Sequence, residues 1–138
     1  KNETATQDAV KNGWFQSGDS VYRREEGLYV MKGRIKDMIK TNGESVSASR
    51  VEAVLSGHPG VDQVAVIGLP DEVLGERVTA VVVKKADSEW EEDELISYGR
   101  KFLASFETPR RIIVTDQLPE SVGGKIQKYK LVEQFKED

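Results

Sequence analysis

The run Gly33-Arg34-Ile35-Lys36-Asp37-Met38-Ile39-Lys40-Thr41-Asn42-Gly43-Glu44 and, far downstream, Gly123-Gly124-Lys125 bring together fixed cations, a turn that can flex and bare backbone. Those are the parts needed to handle a phosphate-bearing reactant. Lys125 sits in Pro119-Glu120-Ser121-Val122-Gly123-Gly124-Lys125-Ile126, where two glycines predict a mobile loop. A lysine there is a compact charge on a flexible stem, able to reach another surface and neutralise charge developing on phosphate or carboxylate oxygens. Taken alone, Gly-Gly-Lys better fits an exposed surface lysine. A Walker A loop is excluded, because that pattern needs glycine where Pro119 stands and Ser or Thr where Ile126 stands.

These residues need elements to hold them. Val21-Tyr22-Arg23 and Leu28-Tyr29-Val30-Met31 flank Glu25-Glu26-Gly27, the pattern of a β-hairpin. A second hairpin is expected from Met38-Ile39-Lys40 and Glu44-Ser45-Val46, with Asn42-Gly43 at the turn because that pair tolerates positive φ. The period then changes from two to about 3.6. Ala48, Val51, Val54 and Leu55 share one helical face, Ser49 with Glu52 reads as a capping box, and the helix is expected to end at Gly57. Val64–Ile67 and Val78–Val83 are β-rich apolar runs separated by the Pro70-to-Gly75 loop. A second helix is predicted from near Ser88-x-x-Glu91 to before Pro109, with Leu95, Ile96, Phe102, Leu103 and Phe106 on its apolar side. Arg111–Val114 supplies a third strand, and Tyr129, Leu131, Val132 and Phe135 predict a short closing helix. The expected fold class is α+β: a small three-stranded sheet packed by helices, preceded by short β-hairpins.

The chain's 138 residues suit one domain with a single modest core. A net charge of −4, with both signs interspersed, gives no positive field of the kind that nucleic acids or anionic membranes require, and the cations Arg110, Arg111, Lys125, Lys128 and Lys130 are expected to lack interleaved exposed aromatics. Without cysteine there is no disulfide framework or thiolate site, and the lone His58, followed by Pro59, is expected to end the first helix rather than ligate a metal. No apolar run approaches the roughly 18 residues of a membrane span. Soluble, cytoplasmic placement is the expectation. The polar lead Lys1–Asn12 meets Gly13-Trp14-Phe15 abruptly, as in the middle of a longer protein, so a fragment is expected.

Five motifs occur in order: Gly13-Trp14-Phe15-x-Ser17-Gly18-Asp19, Gly33-Arg34-x-Lys36-Asp37, Asn42-Gly43-Glu44, Pro70-Asp71-Glu72-x-x-Gly75-Glu76 and Leu118-Pro119-x-x-x-x-Gly124-Lys125. Together they resemble the C-terminal part of the adenylate-forming enzymes, the superfamily of acyl-CoA synthetases, nonribosomal adenylation domains and beetle luciferases. The resemblance runs from about Ala5 to Leu131.

That resemblance implies roles. Asp19 matches the aspartate that accepts from both ribose hydroxyls of ATP or the adenylate, and Arg34 the arginine that contacts the same ribose and phosphate region. Lys36 falls on the hinge about which the small domain swings. Lys125 matches the lysine that enters the active site during adenylation. After rotation the other face would serve thioester formation, with Lys40 as a second-pose catalytic lysine and Asn42, Gly43 and Glu44 beside the pantetheine arm. Gly43 lacks a Cβ and lets backbone pass close. Phe106 stands where some relatives hold the nucleotide end of CoA with an aromatic residue, although core packing is the stronger expectation. The pattern departs from relatives at Glu107-Thr108, where basic residues are frequent, and at Leu74, where some carry tryptophan.

The hinge run resembles acyl- or aryl-CoA synthetases, and Gln127 stands where peptide-synthetase domains carry aspartate. The implied protein is an ATP-dependent, AMP-forming carboxylate–CoA ligase that makes acyl-AMP and then acyl-CoA. ATP and CoA are its nucleotides, Mg2+ comes bound with ATP, and this chain supplies no metal ligands. Residues 1–34 are expected to be the edge of a large N-terminal domain and its hairpin to the hinge, and residues 35–138 the mobile C-terminal domain. The partners implied are that large domain and a carboxylic acid, with no nucleic acid and no membrane span. The isolated chain is expected to be inactive. The alternatives are a peptide-synthetase adenylation domain and a non-catalytic module binding an adenylate or a carrier protein.

Overall fold

The computed structural model describes residues 9–137; residues 1–8, which hold most of the polar lead, lie outside the described residues. Among the described residues two small hairpins come first. The strands β1 (Val10–Lys11) and β2 (Trp14–Phe15) pair antiparallel, as do β3 (Asp19–Arg23) and β4 (Tyr29–Arg34), the latter around the expected Glu-Glu-Gly turn. A single 3-10 turn, Ile35–Asp37, leads into β5 (Met38–Thr41) and β6 (Glu44–Ser47). Between them Asn42 and Gly43 both take positive φ, +50° and +80°, the geometry of a type I′ turn that suits the twist of flanking strands.

The helix α1 (Ala48–Leu55) follows, then the long strands β7 (Val61–Asp71) and β8 (Gly75–Lys84), the helix α2 (Glu92–Arg100), the strand β9 (Arg111–Val114) and the closing helix α3 (Lys128–Phe135). The main sheet has five strands in place of the expected three. It runs β6-β5-β8-β7, and β9 joins β8 in parallel. The extra two strands are the second hairpin, attached where Thr41 pairs with Gly75. Hydrophobic alternation reports which face of a strand is buried and is silent about which strand lies at its edge. The α+β class itself stands.

Alternation along β7 from Val64 to Leu69, beyond a register shift at Val61–Gln63, divides the apolar side chains between two cores. Val64 and Val66 face α1 and α2, with Val51, Leu55, Trp90, Leu95 and Leu103. Ala65, Ile67 and Leu69 face α3, with Leu118 and Leu131. The sheet is thus covered on both faces. The helices α1 and α2 meet closely at Gly99, where a Cβ would lie 3.3 Å from Leu55 Cδ2.

Two expected helix starts shift. Ser47, not Ser49, caps α1 by accepting from the Arg50 N–H at 3.4 Å. Glu52 is drawn away from any capping box: its Oε1 accepts the Val66 N–H at 2.8 Å and lies 2.7 Å from Lys128 Nζ. It thereby covers an outward-facing amide of the edge strand β7. Ser88 likewise donates to the carbonyls of Lys85 and Gly60 instead of capping α2, which begins after Glu91. The second helix also ends at Arg100, earlier than expected, so Phe102 and Phe106 fall in the following turns, 57% and 38% exposed. His58 lies just beyond the end of α1, in line with the expected helix end, and is buried there; its Nδ1 accepts the Gly60 N–H, and its ring meets Trp90 and Tyr98 edge-on. Among the described residues no helix is long and apolar enough to cross a membrane.

Candidate functional site

Lys36 and Lys125, about ninety residues apart in sequence, line one cavity of about 560 Å3. Lys36 belongs to the 3-10 turn that joins β4 to β5. Lys125 ends a turn built from its own backbone. The Gly124 N–H donates to the Ser121 carbonyl at 2.8 Å, the Ser121 N–H to the Lys125 carbonyl at 2.8 Å, and the Lys125 N–H to Ser121 Oγ at 3.3 Å. Gly124 takes φ +75°, which closes that turn, and Glu120 bridges Ile126. The sequence predicted a mobile loop here; the structure has a hydrogen-bonded turn with an exposed lysine at its end. The Lys125 side chain is free to reach, while its base is held.

The same cavity is lined by Asp37, Glu76, Gln127 and Lys128 above apolar walls of Ile39, Val66, Ile67 and Val132. Lys128 is committed to Glu52. Gln127 Oε1 is buried there with no hydrogen-bond partner among the described residues. The unsatisfied acceptor and the exposed Lys125 give the cavity groups that suit a polar, anionic ligand.

Lys40 lies outside this cavity on β5. Its Nζ donates to Ser45 Oγ across the hairpin, and its backbone N–H donates to Glu76 Oε2 at 2.6 Å. Asn42, Gly43 and Glu44 form the exposed tip, tied to the β7–β8 turn by the Asn42 N–H, which donates to the Leu74 carbonyl at 2.8 Å. Asp19 and Arg34 are paired positions of β3 and β4, with Arg34 Nε 3.4 Å from Asp19 Oδ1. The carboxylate keeps one oxygen uncommitted by this ion pair. Phe106 is in the turns after α2, and its exposure overturns the core-packing expectation. Beside it Glu107 accepts from Arg50 Nε at 3.0 Å and from the Ala104 N–H at 2.9 Å, so the residue that replaces a basic one is used to tie this segment to α1.

The structure therefore joins Lys36 with Lys125, joins Asp19 with Arg34, and holds Lys40 with the Asn42–Glu44 tip as a third group. Sequence reasoning used Glu76 as a motif marker and Gln127 as a mark of the branch, neither with a role in the site, and passed over Gly68. The contact of Glu76 with Lys40 depends on the register of β7 and β8, which local patterns do not specify.

Residues 50–125 match the family described as the AMP-binding enzyme C-terminal domain. A long-chain-fatty-acid–CoA ligase of Mycobacterium tuberculosis is 43% identical over 131 residues, covering 95% of this chain and 26% of that protein. An oxalate–CoA ligase of Arabidopsis thaliana is 36% identical over 136 residues, covering 99% of this chain and 26% of that protein. Among solved structures, ATP-bound MatB from Rhodopseudomonas palustris superimposes with a TM-score of 0.87 at 34% identity, covering 99% of this chain and 27% of that one. The chain spans about a quarter of the length of these relatives. With more than half of its 138 residues inside the family match, the chain belongs to the AMP-binding enzyme C-terminal domain family.

Proposed function

We propose that this chain is the C-terminal domain of an ATP-dependent, AMP-forming acyl-CoA synthetase. The whole enzyme joins a carboxylate to ATP as acyl-AMP with release of pyrophosphate, and then passes the acyl group to the thiol of CoA with release of AMP. The observation that carries this reading is the shared cavity of Lys36 and Lys125: a cation on a braced turn opens beside the segment on which the domain would pivot. In the adenylation pose Lys125 neutralises charge growing on the carboxylate and α-phosphate oxygens. Asp19 accepts from the ribose hydroxyls and Arg34 stands over the ribose and phosphate. Mg2+ arrives with the ATP phosphates as part of the substrate.

In the second pose the hinge at Lys36 withdraws Lys125 and presents Lys40 with Asn42, Gly43 and Glu44 to the adenylate and the pantetheine arm. Phe106, exposed beyond α2, is available to the nucleotide end of CoA. Residues 1–34 are the edge of the large domain, and residues 35–138 the mobile domain. Exposed Trp14, Phe15, Leu28, Tyr29 and Met31 support that division, since so much apolar surface on one segment calls for a cover. Relatives named for acids as different as oxalate and long-chain fatty acids match this chain over nearly its whole length, which supports acid choice in the large domain. The cytoplasm, where ATP and CoA are available, is the proposed location.

The test is carboxylate-dependent ATP–pyrophosphate exchange by the whole enzyme across a broad acid panel, alongside this chain alone. Exchange by the former and none by the latter is expected. No exchange by the whole enzyme with any acid would favour a non-catalytic module that binds an adenylate or a carrier protein.

A further inference from the structure

Residues of an antiparallel strand direct their backbone groups alternately toward one neighbour and the other. Thr41 and Glu44 close the tight turn of β5 and β6, so Lys40, opposite Ser45, directs its N–H away from β6 and toward β8. On that side β5 meets β8 at one residue pair, Thr41 with Gly75. From Thr79 onward the same edge of β8 is occupied by β9. The Lys40 N–H therefore has no backbone carbonyl to continue the ladder.

The Glu76 side chain fills this gap, its Oε2 accepting the Lys40 N–H at 2.6 Å. Room for that carboxylate comes from Gly68 on β7, where a Cβ would lie 2.8 Å from Glu76 Oε1 and 3.0 Å from Ile39 Cγ2. Gly75, at φ +81°, lets the Lys40 carbonyl approach to where a Cβ would stand 3.4 Å away. A charged acceptor on a backbone amide is among the stronger hydrogen bonds a surface hairpin can have. It lies three residues beyond the end of the Ile35–Asp37 turn, at the point where the chain becomes fixed to the sheet.

We propose that Glu76 is a positioning residue for thioester formation. By completing the ladder at Lys40 it makes the hairpin β5–β6 one body with the sheet. A rotation at Ile35–Asp37 then carries Lys40 and the Asn42–Glu44 tip through the full swing of the domain. Without the anchor, the Lys40 stretch of β5 is held to β8 only by the Thr41–Gly75 pair, the Asn42–Leu74 bond and the core packing of Ile39 and Val46, and the placement of Lys40 and the tip loosens. This inference rests on the function proposed above and deepens it, by naming what holds the second-pose groups in place.

The experiment has two readouts on the whole enzyme. The first is amide hydrogen exchange at Lys40, compared with Val81 in the centre of β8. Glu76→Ala is expected to speed exchange at Lys40 by about tenfold or more while leaving Val81 unchanged, and Glu76→Gln, which keeps a carbonyl acceptor, to restore much of the protection. Gly68→Ala, which pushes the carboxylate aside without removing it, is expected to repeat the effect of Glu76→Ala. The second readout compares the half-reactions: Glu76→Ala is expected to lower thioester formation from supplied acyl-adenylate about tenfold more than it lowers pyrophosphate exchange. Unchanged Lys40 exchange in both Glu76→Ala and Gly68→Ala overturns the anchor. Faster Lys40 exchange with an equal fall in the two half-reactions overturns the positioning role. A wild-type enzyme with neither half-reaction sinks the proposed function and the catalytic consequence with it, and the Lys40 exchange still decides whether Glu76 anchors the hairpin.

Discussion

Glu52 holds Lys128 through the same carboxylate oxygen that accepts an edge-strand amide. Its Oε1 lies 2.7 Å from Lys128 Nζ and 2.8 Å from the Val66 nitrogen, so one side chain of α1 ties together β7 and the start of α3. The two partners differ in what they lose. Glu52→Ala leaves a strand N–H and a half-buried ammonium group without their acceptor, whereas Lys128→Ala leaves a carboxylate still bonded to Val66. Glu52→Ala is expected to cost about 1–2 kcal/mol of folding stability and Lys128→Ala less than about 1 kcal/mol. Urea denaturation of both variants checks the order, and equal losses would mean that the ion pair, not the amide, carries the contribution.

Lys125 projects from a turn whose backbone is closed by Ser121 and Gly124. Removing its side chain takes away a charge without disturbing that turn. In the whole enzyme Lys125→Ala is expected to lower pyrophosphate exchange by about 10²–10³-fold while sparing thioester formation from a supplied adenylate. Equal loss of both steps would show that the lysine does not act in adenylation alone.

Much of this architecture is written locally. Asn42-Gly43 announces its turn because two consecutive positive φ angles suit few other pairs, and α1 and α3 follow from apolar residues at helical spacing. What the sequence hides is set by contacts between distant segments. The joining of β5 to β8 rests on Thr41 and Gly75, and nothing local to either predicts it. Glu52 has the spacing of a capping box yet is recruited by Val66 and Lys128, which fold against it from elsewhere. Phe102 and Phe106 continue the apolar face of α2 on paper, but that helix stops at Arg100. In the site, the motif order picks out Lys36 and Lys125 by resemblance; that they share a cavity is a property of the fold.

Asp71 offers a pH dependence with a definite sign. Its Oδ1 accepts from the N–H groups of Leu74 at 2.9 Å and Val73 at 3.0 Å, and its Oδ2 lies 3.2 Å from Arg77 Nε. The Leu74 and Val73 amides, with Arg77 and Arg110 adding attraction, hold its carboxyl below the usual carboxylate range. A depressed pKa in the folded state means that its stabilisation is fully present above the ordinary Asp range. That stabilisation is lost as the pH falls through that range toward the lowered folded value. Wild type is therefore expected to lose stability over that acidic window more steeply than Asp71→Asn, with the steeper slope absent near neutrality. Parallel stability–pH curves for the two proteins would show that the turn at Val73 and Leu74 does not depend on this charge.

The hinge admits a sharper perturbation than deletion. Lys36 occupies the middle of a 3-10 turn, where proline's φ near −65° fits the backbone, but proline at 36 also disfavours the helical state of Ile35 before it. Lys36→Pro thus fixes one rotation of the pivot and biases its neighbour toward extended backbone, while every contact of β5 onward is untouched. Folding stability measured by urea is expected to stay within about 1 kcal/mol of wild type, because Lys36 is exposed. If the domain works by swinging at this turn, adenylation and thioester formation need different backbone angles here, and a locked pivot serves one at the expense of the other. The expected outcome is pyrophosphate exchange retained and thioester formation lowered by about tenfold or more, read as separate half-reactions. Thioester formation at the wild-type rate in a stable Lys36→Pro enzyme would move the pivot away from this residue.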